Sequence, residues 1–345
     1  MHTRNAFGLV VLLFVLAACA TGGPSGGRLV LEDEGSFFVN GQSYRSEHPG
    51  ASLNTGAAPP GNITIKQMYV QYRVPAEKSG PAIVMVHGSQ HTGKTYETTP
   101  DGREGWATWF VRRGHPVYVV DQAGRGRSGF NPTPVNAVRD RGGDPKALPI
   151  FFLGPIERAW ANFRFGPEYP KPYPGLQFPL EALDQYLAQL VPNSETTLDG
   201  GGVNTINALA ALLDKIGPAV IFVHSQSGVY GLDVVRKRPN LVRALVSVEG
   251  GCETLTPGDA AGPFSKVPFV SVWGDNSVGA WGVNGDKRRN GCVQAVNYIQ
   301  GAGGKATFLL LPEAGVKGNS HMMMMDKNNL EVAGLIRHWI NENVR

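Results

Sequence analysis

The segment His224-Ser225-Gln226-Ser227-Gly228 stands directly between an apolar run, Ala219 to Val223, and a helical stretch, Val229 to Lys237. A serine on so tight a strand-to-helix turn lifts its hydroxyl above the sheet, with small neighbours to let the chain bend and a helix N-terminus beneath. That chemistry is nucleophilic attack on an acyl carbon. Val223 occupies the place where such a turn usually carries its first glycine, and Ser227 the place of the last. An activated serine needs an imidazole to take its proton, and His321 is the histidine that falls between the final strand and the final helix. His87, His91 and His224 belong to the two loops around the serine and read as turn-shaping residues. Either Asp275, after Trp273-Gly274, or Glu249, after Ser247-Val248, could fix the imidazole tautomer, and spacing alone leaves both open. Two backbone N–H groups must face the developing oxyanion: Gln226 supplies one, and Ser89, in His87-Gly88-Ser89, supplies the other.

These residues need a sheet to hold them. Ile83 to Val86, Val117 to Val120, Ala219 to Val223 and Val242 to Val248 are continuous apolar runs, as in strands covered on both faces. Further strands are expected at Phe269 to Trp273 and Thr307 to Leu311, and helices at Trp106 to Arg113, Ile206 to Ile216 and Leu330 to Asn343. Alternating elements of this kind predict an α/β fold with a mostly parallel, doubly wound sheet. Leu29 to Leu31 and Phe37 to Val39, followed by Asn40-Gly41, read as the start of an N-terminal hairpin, and alternation from Ile63 to Tyr72 as a strand ending at Pro75. Between about residues 131 and 205 the order gives way to Pro, Gly and aromatic residues with one helical stretch, Leu180 to Leu190, the expected cap. Trp160, Phe163, Phe165, Tyr169 and Tyr173 there, and Met322 to Met325 after the histidine, suit either an acyl pocket or plain core packing.

The leader sets the compartment. Arg4 precedes an apolar run, Ala6 to Ala18, too short to span a bilayer, for which roughly 20 residues are needed. Residues 1–18 read as an export signal, 19–28 as a flexible tether, and 29–345 as one domain with its cap inserted. Leu16-Ala17-Ala18-Cys19 resembles a bacterial lipobox, which makes Cys19 a lipidation site and a lipid anchor the expected membrane contact. Cleavage after Ala20 by ordinary signal peptidase is the alternative, with a periplasmic or secreted product either way. Cys252 and Cys292 then remain as a pair where disulfides persist, and a bridge between them is expected. A net charge of +4 over 345 residues is too mild to indicate nucleic acid as a partner. The basic runs Arg236-Lys237-Arg238 and Lys287-Arg288-Arg289 read as solvated faces. A homodimer is compatible with the sequence, and no metal or organic cofactor is implied.

Taken together, the motifs resemble those of α/β-hydrolase serine esterases, and more closely an atypical secreted bacterial branch with a Ser-Glu-His triad. The likeness rests on Glu34 to Val39, His87-Gly88, Asp121 through Gly129, the His-Ser-Gln-Ser-Gly turn, Val248 to Gly251, and Gly318-Asn319-Ser320-His321-Met322. It implies that Glu249, one strand earlier than usual, is the acid in preference to Asp275. Ser89 and Gln90 stand where that branch carries a cysteine pair, so any disulfide control of the loop is lost here.

Two other readings compete. Gly88 to Thr95 matches a phosphate-binding Walker A pattern after a buried strand, although Pro100, Gly102 and Gly105 make a poor start for the helix it requires. A lipid-anchored binding protein that keeps the fold without its chemistry is the other.

Overall fold

The computed structural model describes residues 27–52, 54–148, 150–193, 202–277 and 285–344. The export signal, Cys19 and most of the tether lie outside the described residues. Eight strands form the central sheet: β1 (Leu31–Val39), β2 (Met68–Pro75), β3 (Ala82–Val86), β4 (Val117–Asp121), β5 (Ala219–His224), β6 (Val242–Val248), β7 (Phe269–Trp273) and β8 (Ala306–Leu310). Their order is β1-β2-β4-β3-β5-β6-β7-β8. β1 pairs antiparallel with β2 and β2 antiparallel with β4, while every later pairing is parallel.

The apolar runs are continuous because both faces are covered. Ile83, Met85, Val220, Phe222, Val246 and Val270 point to a layer with helices Trp106–Val111 and Asn329–Asn343. Val84, Val86, Ile221, Val223 and Leu245 point to the other, with helices Val203–Ile216, Ser227–Lys237 and Gly285–Gly301. Alternate residues of one strand thus feed two cores. At the N-terminus, Asn40 takes a left-handed conformation (φ 61°) and leads out of β1 into Gln42–Ser46, which pairs with Gly61–Ile65, while β1 itself pairs with β2.

Between β4 and helix Val203–Ile216 the chain forms short helices at Thr133–Arg141, Ile156–Asn162 and Leu183–Ala188. Aromatic residues of this segment make a shared core: Phe165 stacks on Phe178 with ring centroids 4.0 Å apart, and Tyr186 packs edge-on against Phe163 and Phe178. Met322 to Met325 are wholly buried in the same layer. Trp160, Phe163 and Phe165 are buried in this packing as well, whereas Tyr169 is 39% exposed.

Candidate active site

The site begins with a bend in the chain. Ser225 directly follows β5 with φ 52°, a left-handed conformation that costs a non-glycine residue about 1–3 kcal/mol and persists only where the surroundings enforce it. They do so from three sides. The Ser225 N–H donates to the Val248 carbonyl, its own carbonyl accepts from Gly228, and Ser227 Oγ accepts from the His224 N–H while lying 3.1 Å from the Val86 carbonyl as its donor. The serine in place of a last glycine therefore ties the turn to the end of β3. Val223 is accommodated one turn later: a Cβ on Gly231 would lie 3.0 Å from Val223 Cγ1, so the missing first glycine has its counterpart on the facing helix.

The acid loop is pressed against this turn. A Cβ on Gly228 would lie 2.4 Å from the Gly251 nitrogen and 2.6 Å from Gly250 Cα, so glycines on both sides let backbone meet backbone. Glu249 also adopts a left-handed conformation (φ 45°), is completely buried, and accepts a hydrogen bond from the Gly274 N–H at 3.0 Å. Its other oxygen lies 2.5 Å from His321 Nδ1, so a ring N–H there donates to a carboxylate, a charge-assisted pairing. Asp275 takes a different part. Its carboxylate accepts from the backbone N–H groups of Gly318 and Asn319 at 2.9 and 3.3 Å, and so braces the loop that carries the histidine. Buried Asp326 completes the brace through the Ser320 N–H, Ser320 Oγ and Asn319 Nδ2, with burial raising its pKa to about 6.

His321 is held along its backbone as well. Its N–H donates to the Phe163 carbonyl, its carbonyl accepts from His224 Nε2 at 2.9 Å, and Phe163 stacks on its ring. Burial first, then the neighbouring His224, Arg164 and Arg288, hold the His321 imidazole well below the usual histidine range. Ser225 Oγ accepts a hydrogen bond from Arg288 Nη1 at 3.4 Å, and among the bonds of the described residues none joins it to His321. Catalytic hydrogen bonds often tighten only around a bound substrate.

On the other side of Ser225 lie the two expected oxyanion donors. Among the described residues no hydrogen bond uses the N–H of Ser89 or of Gln226. Arg125, fully buried, links the loops that carry them: its guanidinium donates to the Gly88 carbonyl at 2.6 Å, to Gln226 Oε1 at 2.9 Å and to Asn193 Oδ1. Asn193 in turn donates to Ser89 Oγ, and Gly154 to Gln90 Oε1. Where the resembling branch has a cysteine pair, this loop is fixed by an arginine and an asparagine.

Cys252 and Cys292 form a disulfide with Cα atoms 4.8 Å apart, tying the acid loop to helix Gly285–Gly301. Arg164 and Arg125 carry no motif that marks them in the sequence. The basic run at 287–289, expected to face solvent, is corrected by the structure, because Arg288 turns inward to Ser225 while only Lys287 is exposed. Helix geometry explains it: Arg288 lies four residues before Cys292, on the face that the disulfide pins to the acid loop.

The Walker A pattern has no matching structure. Gly93–Tyr96 is a single 3-10 turn, Gly93 donates its N–H to Asp121, and the Lys94 ammonium is engaged by Thr98. An open cavity of about 670 Å³ near residues 27–30 and 111–113 contains none of the candidate residues.

No family model matches the chain. It is 30% identical over 334 residues to the probable secreted lipase phiG of a fungal species (strain ATCC 74256), covering 81% of this chain and 86% of that protein. A bacterial esterase solved at atomic resolution superposes with a TM-score of 0.87 at 39% identity, over 94% of this chain and 99% of that one.

Proposed function

Since the chain belongs to the α/β-hydrolase family of esterases and lipases, we propose that it is a serine carboxylesterase that works through an acyl-serine intermediate. The observation that carries this reading is the 2.5 Å bond between His321 Nδ1 and Glu249, formed in a loop pressed against the strained turn of Ser225.

With Nδ1–H directed at Glu249, the Nε2 lone pair is free to take the Ser225 proton. Oγ forms a bond to the ester carbonyl carbon, and the carbonyl oxygen takes negative charge against the N–H groups of Ser89 and Gln226. Collapse breaks the carbon–alkoxide bond, and the imidazolium returns its proton to the leaving oxygen. Water, deprotonated by the same nitrogen, then cleaves the acyl-serine and releases the carboxylic acid. Glu249 is the triad acid in this scheme and Asp275 a brace. The cap segment contributes to the site, since it supplies Phe163 and Arg164 to the histidine and Asn193 to the Ser89 loop.

Export follows from the leader and from the similarity to a protein described as secreted. Among the described residues no helix is long and apolar enough to cross a membrane, and attachment through a lipid on Cys19 is the form we assign.

A fluorophosphonate probe tests the reading. Wild-type protein should gain one adduct, mapped to the peptide containing Ser225, and Ser225→Ala should gain none. Failure of the folded wild type to label, with no hydrolysis of aryl esters, would leave a hydrolase-like binding protein instead.

A further inference from the structure

The hydroxyl of Ser225 is approached by more positive charge than hydrolysis of a neutral ester requires. Arg288 Nη1 stands 3.4 Å from Oγ, and this is the sole hydrogen bond of its guanidinium among the described residues. No carboxylate lies within ion-pair distance of it there, and Glu253 acts on it only at longer range. A second guanidinium, Arg164, is 1% exposed and enters from the aromatic segment in a left-handed conformation (φ 58°). Its Nη1 contacts Glu249 and lies 3.2 Å from His321 Nδ1, and its Nε and Nη2 are buried with no hydrogen-bond partner among the described residues. Arg288 thus reaches the nucleophile while Arg164 sits at the imidazole–carboxylate pair, and among the described residues Glu249 is the carboxylate that contacts either.

We propose that the substrate is an ester that also carries a carboxylate, and that Arg288 binds it beside Ser225. This rests on the esterase reading above. Planar guanidinium groups suit carboxylate oxygens, which they engage through paired N–H donors. On binding, the substrate carboxylate replaces Ser225 Oγ as the partner of Arg288 and releases the hydroxyl toward His321. The same negative charge offsets two cations that oppose imidazolium formation, so it assists proton transfer as well as binding. The disulfide holds Arg288 in this role, because Cys292 sits on the same helix face one turn later. The carboxylate belongs to the acyl part or to the alcohol part, and two matched substrate pairs separate these.

The acyl arm compares the mono-para-nitrophenyl ester of adipic acid with para-nitrophenyl hexanoate; the alcohol arm compares para-butyryloxybenzoate with phenyl butyrate. In at least one arm the charged ester should have the higher kcat/KM by roughly tenfold or more in wild-type enzyme, and Arg288→Gln should bring that ratio down to about one. Charged esters that gain nothing in either arm, or a preference that survives Arg288→Gln, would overturn the proposal. Should the variant be too slow or too unstable to assay, competitive inhibition of the wild type decides. Adipate should inhibit roughly tenfold more tightly than neutral adipamide, and equal potency would overturn the proposal. Hydrolysis of neutral esters without charge preference defeats only this inference, whereas absence of any ester hydrolysis defeats the functional reading beneath it.

Discussion

Glu249 and Asp275 leave the C-terminal ends of neighbouring parallel strands, β6 and β7, yet they meet the histidine loop in different ways. Glu249 is sealed in the interior, bent into a left-handed conformation, and bonds the imidazole itself. Asp275 is partly exposed, and bonds the backbone two and three residues upstream of His321. The difference comes from what surrounds each strand end. Gly250, Gly251 and Gly228 allow the β6 loop to press into the nucleophile turn, whereas Gly274 only clears Asn319, whose Cβ would be 3.0 Å away. One carboxylate orients the ring and the other positions the loop that delivers it.

Substitution should separate the two. Glu249→Gln removes the acceptor that fixes the Nδ1–H tautomer, and kcat/KM for a neutral aryl ester should fall by roughly 10³-fold or more. A loss smaller than that of Asp275→Asn would reverse the assignment. The disulfide stands next in size, because it fastens the Glu249 loop from outside. Cys252→Ser combined with Cys292→Ser should lower unfolding stability by about 2–4 kcal/mol in a denaturant titration. It should also reduce activity under conditions where the protein is still folded. Unchanged activity would mean that the acid loop holds itself.

Asp275→Asn keeps the shape and weakens two backbone bonds, so activity should drop by only about three- to tenfold, and stability by about 1–2 kcal/mol. The pH profile offers the finest distinction. His321 must be neutral to act as base, and burial with neighbouring cations lowers its pKa, so the acid limb of kcat/KM should lie below the pH of about 6.5 expected for a free imidazole. Activity is lost as pH falls through that lowered value and is retained above it. Arg288→Gln, which takes away one of those cations, should move the limb upward, while Asp275→Asn should leave it where it is.

Much of the framework could be read in the residues because it is local or periodic. Apolar runs marked the doubly covered strands, and the Ser225 turn and the placement of His321 follow from strand-to-helix order. What was not legible is non-local. Arg125, Arg164 and Arg288 gain their roles only when the segments around 125, 164 and 288 fold onto one another, and a buried arginine has the same appearance in a sequence as a solvated one. The basic run at 287–289 was misread for that reason. Val223 raised a doubt that Gly231 answers, but their contact lies across a strand-helix interface that no pattern reports. The choice between Glu249 and Asp275 came from resemblance, since both satisfy the same spacing.

The most direct test is a proton spectrum of the folded enzyme near neutral pH. An Nδ1–H held 2.5 Å from a carboxylate oxygen should resonate far downfield of the amide envelope. The account predicts that this signal is present in wild type, persists in Ser225→Ala and Asp275→Asn, and vanishes in Glu249→Gln. A signal that survives Glu249→Gln and disappears in Asp275→Asn would contradict it.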